Sequence, residues 1–474
     1  MGAFYRSGEE KKRPGVYQRY EKQKEQVAGG SDGVVALAVT GNWGPLNEVL
    51  TLSGAAQAAQ AFGSGGKAAA AIQEAFLGGA RRVLAVRAGS GGTKGQATLQ
   101  DAAETPADAV IATARHEGDR AFKYMLRPTL GDASVKEFVL TEDGEIVERI
   151  RFAAGENEVD ALVNAGAASR YVAFAKASGY AGSGALALVT VETAMQPGTN
   201  PAVTATDYGA ALAALEPYRY KALCVDTEEP AAHALLAAFV ARTFEDGKLS
   251  FGVVGEPVSV SLETRRSRAA AFNDYRMVHV GGGWVDEGGR VIDGHRAAAR
   301  VAGLIVSTSA SQAITHKVIA GATDVAERLT NAQYDACIES GMIVFSLSPA
   351  GEVWVDSGVT TLIEPSGEDD AGWKKIKRAK VRFEIFDRID EAVAPMIGAV
   401  SNTPDGRASV IQAGKGVLLK MADEGKIEAG AEMIEDAENP AAGDSAWFLV
   451  GWRDIDSLEK IYVRHSVGGF APNA

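Results

Sequence analysis

Cysteine is scarce: 474 residues hold two, Cys224 and Cys337, far apart and outside any CxxC spacing. Neither a disulfide framework nor a cysteine-based zinc site is indicated. Their apolar settings, ALCVD and DACIESGMIVF, point to two buried, reduced thiols. Long apolar runs are missing as well, and none approaches the roughly 18 residues of a membrane span. The opening MGAFYRSGEEKKRPG is polar and basic and has no apolar stretch of the secretory kind, so synthesis and folding in a cytoplasm are expected. Positive charge is in deficit, with 48 Lys and Arg against 61 Asp and Glu. The resulting net charge of -13 would repel a polyanion, which argues against nucleic acid as a partner.

The motifs of chemistry are missing too. The six histidines, His116, His233, His279, His295, His316 and His465, show neither HxxxH nor HExxH spacing. No GxSxG elbow occurs, since Ser183 lies in AGSGA. Two glycine-rich stretches invite a phosphate-loop reading and fail it. In AFGSGGKAA, Ala61 stands where GxxxxGK[ST] needs its first glycine and Ala68 follows Lys67, so the Mg²⁺-binding hydroxyl is lacking; in GSGGTKG, Gly95 follows Lys94. No catalytic, cofactor-binding or metal-binding residue is assigned, and neither an enzyme activity nor a cofactor is expected.

What is present is the composition of a folded protein, 46% hydrophobic and 23% charged, long enough for two to four domains. VVALAVT (34–40), RRVLAVRAG (81–89), YKALCVD (220–226) and SFGVVGEP (250–257) are short continuous apolar runs, as expected of strands buried on both faces. Helical stretches lie between them. SGAAQAAQAFG (53–63) is expected to be capped by Ser53, KAAAAIQEAFLGGA (67–80) to stop at Gly78-Gly79, and PAAHALLAAFVARTFEDG (230–247) forms a third. His233 and His316 are placed at helix starts. This alternation argues for a mostly parallel sheet covered by helices.

Between about 96 and 197 the runs turn β-like, and Asp143-Gly144 between two of them is a hairpin signal. The fold class expected is therefore α/β multi-domain. An α/β core (25–95 and 198–366) carries an inserted β-rich domain (96–197) and is followed by a small α+β C-terminal domain (367–457). The flanks, 1–24 and 458–474, are read as arms. Val16, Gln18 and Tyr20 alternate with Tyr17 and Arg19, and Ile461 and Val463 alternate with Tyr462 and Arg464. Such segments have too little apolar area to fold alone, so ordering on another surface is one reading and a frayed end or an internal strand the other. A basic stretch, Lys374, Lys375, Lys377, Arg378, Lys380 and Arg382, stands out in an acidic chain, and its ordinary reading is a solvated helix face.

Several further fragments stand out when taken in order. They are RPGVY (13–17), GNWGPLNEVLTLS (41–53), AFG (61–63), EAFLGGARRVLAVRAG (74–89), QPGTNP (196–201), RVAGLIVSTSASQAITHKVI (300–319), SGMIVFS (340–346) and the long stretch from RFEIFDRIDEA to MADEGKI (382–427). Each is weak alone, but in their shared order over nearly the whole chain they resemble the sheath proteins of contractile phage tails and phage-tail-like bacteriocins. The resemblance implies a core of subtilisin-like topology without protease activity, an outward insertion and a C-terminal domain lining an inner tube. It implies a structural subunit that polymerises helically around the tube and contracts to drive it through a cell envelope.

By the same resemblance the partners are the chain itself, the inner tube protein, and baseplate and tail terminator proteins, with no nucleic acid and no direct membrane contact. The arm strands Val16, Tyr17, Gln18, Tyr20 and Ile461, Tyr462, Val463, Arg464 would add to a neighbour's small sheet. Hinges are expected at Val27–Gly30 and around Asp454–Ser457. A sharper reading of the basic stretch then has it face an acidic patch on the tube. The alternatives are another self-assembling shell or surface-layer protein, or an α/β enzyme of unknown substrate.

Overall fold

Six consecutive apolar residues, Val34–Val39, form strand β1, and every one of them is buried. That needs helices on both faces, and the computed structural model supplies them. It describes residues 33–181, 184–367 and 369–465, together with Val467 and two short strand segments near the N-terminus. The central sheet joins β1 to β2 (Val49–Leu52), β3 (Arg82–Arg87), β4 (Ala222–Val225), β5 (Phe251–Gly255), β6 (Met277–Val280) and β7 (Met342–Ile343). Their order is β7-β6-β5-β4-β1-β3-β2, parallel throughout except for β2.

Ten α-helices are described: α1 (Ala56–Phe62), α2 (Ala68–Leu77), α3 (Glu158–Ala165), α4 (Ala205–Leu215), α5 (Pro230–Glu245), α6 (Leu262–Phe272), α7 (Gly294–Ser307), α8 (Asn331–Glu339), α9 (Ile376–Val393) and α10 (Pro404–Asp423). Alternate residues of β1 serve different layers, because successive side chains of a strand point to opposite faces. Val35, Leu37 and Val39 pack with Phe62, Ile72 and the alanine-rich face of α7. Val34, Ala36 and Ala38 pack with Tyr208, Leu212, Leu236 and Val240 of α4 and α5. The core is therefore a three-layer α/β/α sandwich.

Close approach of α2 and α7 depends on two glycines. A Cβ on Gly303 would stand 2.3 Å from the Ala75 carbonyl oxygen, and one on Gly78 would stand 2.3 Å from that of Arg300. The apolar run RVAGLIVSTS is thus a buried helix followed by a loop, with Arg300 turned aside to pair with buried Glu74 at 2.7 Å.

Between β3 and α4 the chain builds a three-stranded and a four-stranded antiparallel sheet around their own core, with Leu126, Phe138, Leu140 and Val172 at its centre. Asp143 (φ 51°) and Gly144 (φ 83°) make the tight hairpin turn expected of them. Trp43 of the α/β core reaches into this unit, edge-on to Phe122 at 5.1 Å. The guanidinium of Arg120 lies 5.4 Å from the Trp43 ring centroid and pairs with Glu142 at 2.9 Å.

Two expectations fail here. Ser53 is not a cap: α1 begins after Ala55 without a side-chain cap, and the Ser53 amide donates to the Gln57 side chain at 2.8 Å. Nor does His316 start a helix. It occupies a turn at φ 58°, stacked flat on Trp354 at 3.9 Å, because the chain leaving α7 folds back along Val353–Val355.

Candidate assembly surface

Two places in the fold gather functional-looking side chains. The first is the C-terminal edge of the parallel sheet, where open α/β sheets usually hold ligands. Three histidines dispersed in sequence converge there, His233, His279 and His295, beside Asp226, Glu228 and Glu256. Asp226 is buried and accepts from the Tyr208 hydroxyl at 2.6 Å and the Thr40 hydroxyl at 2.8 Å. Burial raises its carboxyl above the ordinary range against those bonds.

Glu228 takes a bond from His295 and pairs with Lys67 at 3.1 Å, so the lysine of the glycine-rich GSGGK stretch holds a carboxylate of its own chain. Burial would raise Glu228, yet the hydrogen bond and charge of His295 and the charge of Lys67 bring it to about 2. Burial lowers His233 to about 4, against the bond between its Nε2 and the Thr227 carbonyl. Among the described residues no group of His, Cys, Asp and Glu has the geometry to hold a metal ion. Glu256 pairs with Arg268 at 3.0 Å, whereas both buried ring nitrogens of His279 lack a hydrogen-bond partner among the described residues, with Glu256 Oε1 3.7 Å from its Nε2.

The second place is the C-terminal unit. Helices α9 and α10 pack Val381 and Ile385 against Leu418, Met421, Ile427 and Met433. A hairpin, β8 (Glu432–Glu435) with β9 (Phe448–Gly451), lies on α10 in the register Met433↔Val450 and Ile434↔Leu449. It sits close because position 414 is glycine: a Cβ there would meet the Met433 sulfur at 2.1 Å. Met433 is buried against α10, whereas Ile434 and Leu449 are 46% and 57% exposed on the other face. Two strands make a marginal sheet, and among the described residues this one has no third strand.

After β9 the chain runs beside residues 426–428, through backbone bonds Glu428 N to Arg453 O and Ile455 N to Lys426 O. Beyond it comes the candidate linker. Ile461, Tyr462 and Val463 are 71%, 90% and 69% exposed, and with Arg464 they form no strand in the subunit. At the other end, Tyr17–Gln18 pairs in parallel with Ala3–Phe4, while Val16, Tyr20 and the expected hinge Val27–Gly30 lie outside the described residues.

The basic stretch is neither a solvated face nor an open patch. Lys375 pairs with Asp456 at 2.9 Å and Glu459 at 3.0 Å, and Arg378 pairs with Asp454. Arg382 meets Asp370 at 2.9 Å and Asp454 at 3.3 Å, and Lys377 donates to the Ile455 carbonyl at 2.7 Å. Lys380 turns the other way, onto the terminal carbonyls of α7, Ile305 and Thr308, where a cation suits the helix dipole. Only for Lys374 is no acceptor found for the ammonium among the described residues. Burial would raise Asp454, but the bond from Arg378 and the charges of Arg382 and Arg378 hold its carboxyl below the usual range. Apart from Asp370, the acidic partners stand about 70–85 positions later in the chain, which is why the stretch reads as surface in sequence. The expected hinge around Asp454–Ser457 is corrected by the same geometry, since that segment is bonded along its length.

The described residues thus combine a doubly wound core with a two-stranded hairpin and an exposed apolar segment after it. Residues 201–361 match the family model of the phage tail sheath protein central domain. The whole fold is similar to that of a sheath tail protein from Desulfitobacterium hafniense (TM-score 0.71, 19% identity, covering 93% of this chain and 100% of that one). A sheath tail protein from Listeria innocua gives a TM-score of 0.67 at 20% identity, covering 89% and 95%. A chain of the anti-feeding prophage helical sheath in its contracted state gives 0.54 at 12%, covering 96% and 98%. Residues 201–361 thus match the tail sheath central domain, and the fold of the chain is similar to that of sheath tail proteins.

Proposed function

We propose that this chain is the repeating subunit of a contractile tail sheath, polymerising helically around an inner tube and joined to its neighbours by exchange of its terminal strands. The observation that carries the reading is the pairing of an apolar arm in water with a two-stranded sheet that has room for more strands. In β-augmentation the main-chain bonds supply the hold and alternate side chains set the register. Ile461 and Val463 alternate with Tyr462 and Arg464, the pattern of a strand that turns its apolar residues to one face.

Head-to-tail donation that does not close generates an open helix rather than a ring. Subunit bodies linked by such arms can repack while the mesh persists, and two packings of one polymer give a long and a short state. Contraction is then release from a trapped packing, set off at the baseplate, with no nucleotide consumed. In this reading the core has the subtilisin-like topology of the family, the 96–197 unit faces outward, and a tail terminator closes the far end. The product is a phage or phage-tail-like particle made in a bacterial host's cytoplasm.

Negative-stain electron microscopy of the purified full-length protein tests the class of assembly. Hollow, striated tubes are expected; flat sheets or closed shells would move the protein to the shell or surface-layer class.

A further inference from the structure

The segment 453–459 and the arm after it differ in kind. Asp454 receives Arg378 and Arg382 of α9, Asp456 and Glu459 both receive Lys375 at its N-cap, and Glu459 also accepts from Thr315 of the central domain at 3.3 Å. Ile461, Tyr462, Val463 and Val467 stand in water. The cations come from one helix and its N-cap, and that helix belongs to two cores at once. Ile376, Ala379 and Phe383 of α9 lie in the central core, with Phe383 and Phe251 of β5 at 4.9 Å between ring centroids, whereas Val381 and Ile385 lie in the C-terminal cluster. Lys221, beside β4, pairs with Asp387 further along α9.

We infer that the basic face of α9 is a mooring for the C-terminal arm: Lys375, Arg378 and Arg382 position its root, the arm hinges after Glu459, and a pull on it passes through α9 to the central sheet. The inference rests on the arm-exchange reading only for the source of the pull. Asp454 and Arg382 are both buried, so their contact is screened less by salt than a surface pair. A root held this way stays put when the arm is drawn toward a neighbour, and a shift of the neighbour moves the sheet-bearing body instead of unravelling the chain end.

Hydrogen–deuterium exchange on the full-length protein tests the mooring directly. Amides 453–456 should exchange at least about tenfold more slowly than 460–465. Arg378→Glu should speed 453–456 about tenfold or more, as loss of a charged hydrogen bond requires, without altering the α5 amides. If Arg378→Glu disturbs α5, Lys375→Gln takes its place, with a smaller rise confined to 453–459. A wild-type root exchanging as fast as 460–465, or a root indifferent to both substitutions, overturns the mooring whatever the protein assembles into. A protected root in a protein that forms no tubes leaves the mooring standing and counts against the arm-exchange reading alone.

Discussion

Strand β1 is buried on both faces along all six of its residues, whereas β8 and β9 bury Met433 and leave Ile434 and Leu449 in water. Both regions are made of short apolar strands. The difference is that the central sheet finds all its cover within the chain, from α2 and α7 on one side and α4 and α5 on the other. The hairpin finds cover on one side only. In the proposed reading one region is finished by folding and the other by a second molecule, so a substitution should cost stability in the first and assembly in the second.

The largest effect on the isolated subunit is expected in the core. Leu37→Ala, which empties the middle of β1, should cost about 3 kcal/mol in a denaturant titration. Gly303→Ala should cost roughly 2 kcal/mol, because the new methyl meets the Ala75 carbonyl across the α2–α7 contact and neither backbone can yield freely. Acid should act more gradually. The folded pKa of His233, about 4, lies below the ordinary histidine value. The unfolded chain therefore binds the extra proton first, and stability should fall as pH drops from about 6.5 toward 4.

Glu228, at about 2 when folded, adds a second loss that begins near pH 4 and completes near 2. A thermal-melt series across pH reads both, and His233→Gln should remove the first phase only. The smallest effect on the subunit belongs to the arm: Ile461→Asp should change its stability by less than about 0.5 kcal/mol while abolishing tubes in the electron microscope. An Ile461→Asp protein that assembles normally would erase the distinction between the two regions.

The central layer was legible because buried parallel strands must be apolar throughout, and VVALAV, RVLAVR and ALCV have no other economical reading. The hairpin at Asp143-Gly144 was legible because its turn needs positive φ at both positions. What escaped was whatever depends on partners distant in sequence. The basic stretch finds its carboxylates around Asp454 only after α10 and the hairpin have reversed the chain. The histidines meet at the sheet edge only because β4, β5 and β6 lie side by side. KIYVRHSV has the alternation of a strand, and local pattern cannot say that its partner is absent from the described part of the same subunit.

The most direct test of the account is a chain cut after Glu459, which removes the arm and leaves its mooring. It should melt within a degree or two of the full-length protein and form no tubes under conditions where the full-length protein does. Tubes from the shortened chain, or a large loss of thermal stability, would contradict the claim that the core is complete in itself and that the arm exists to join subunits.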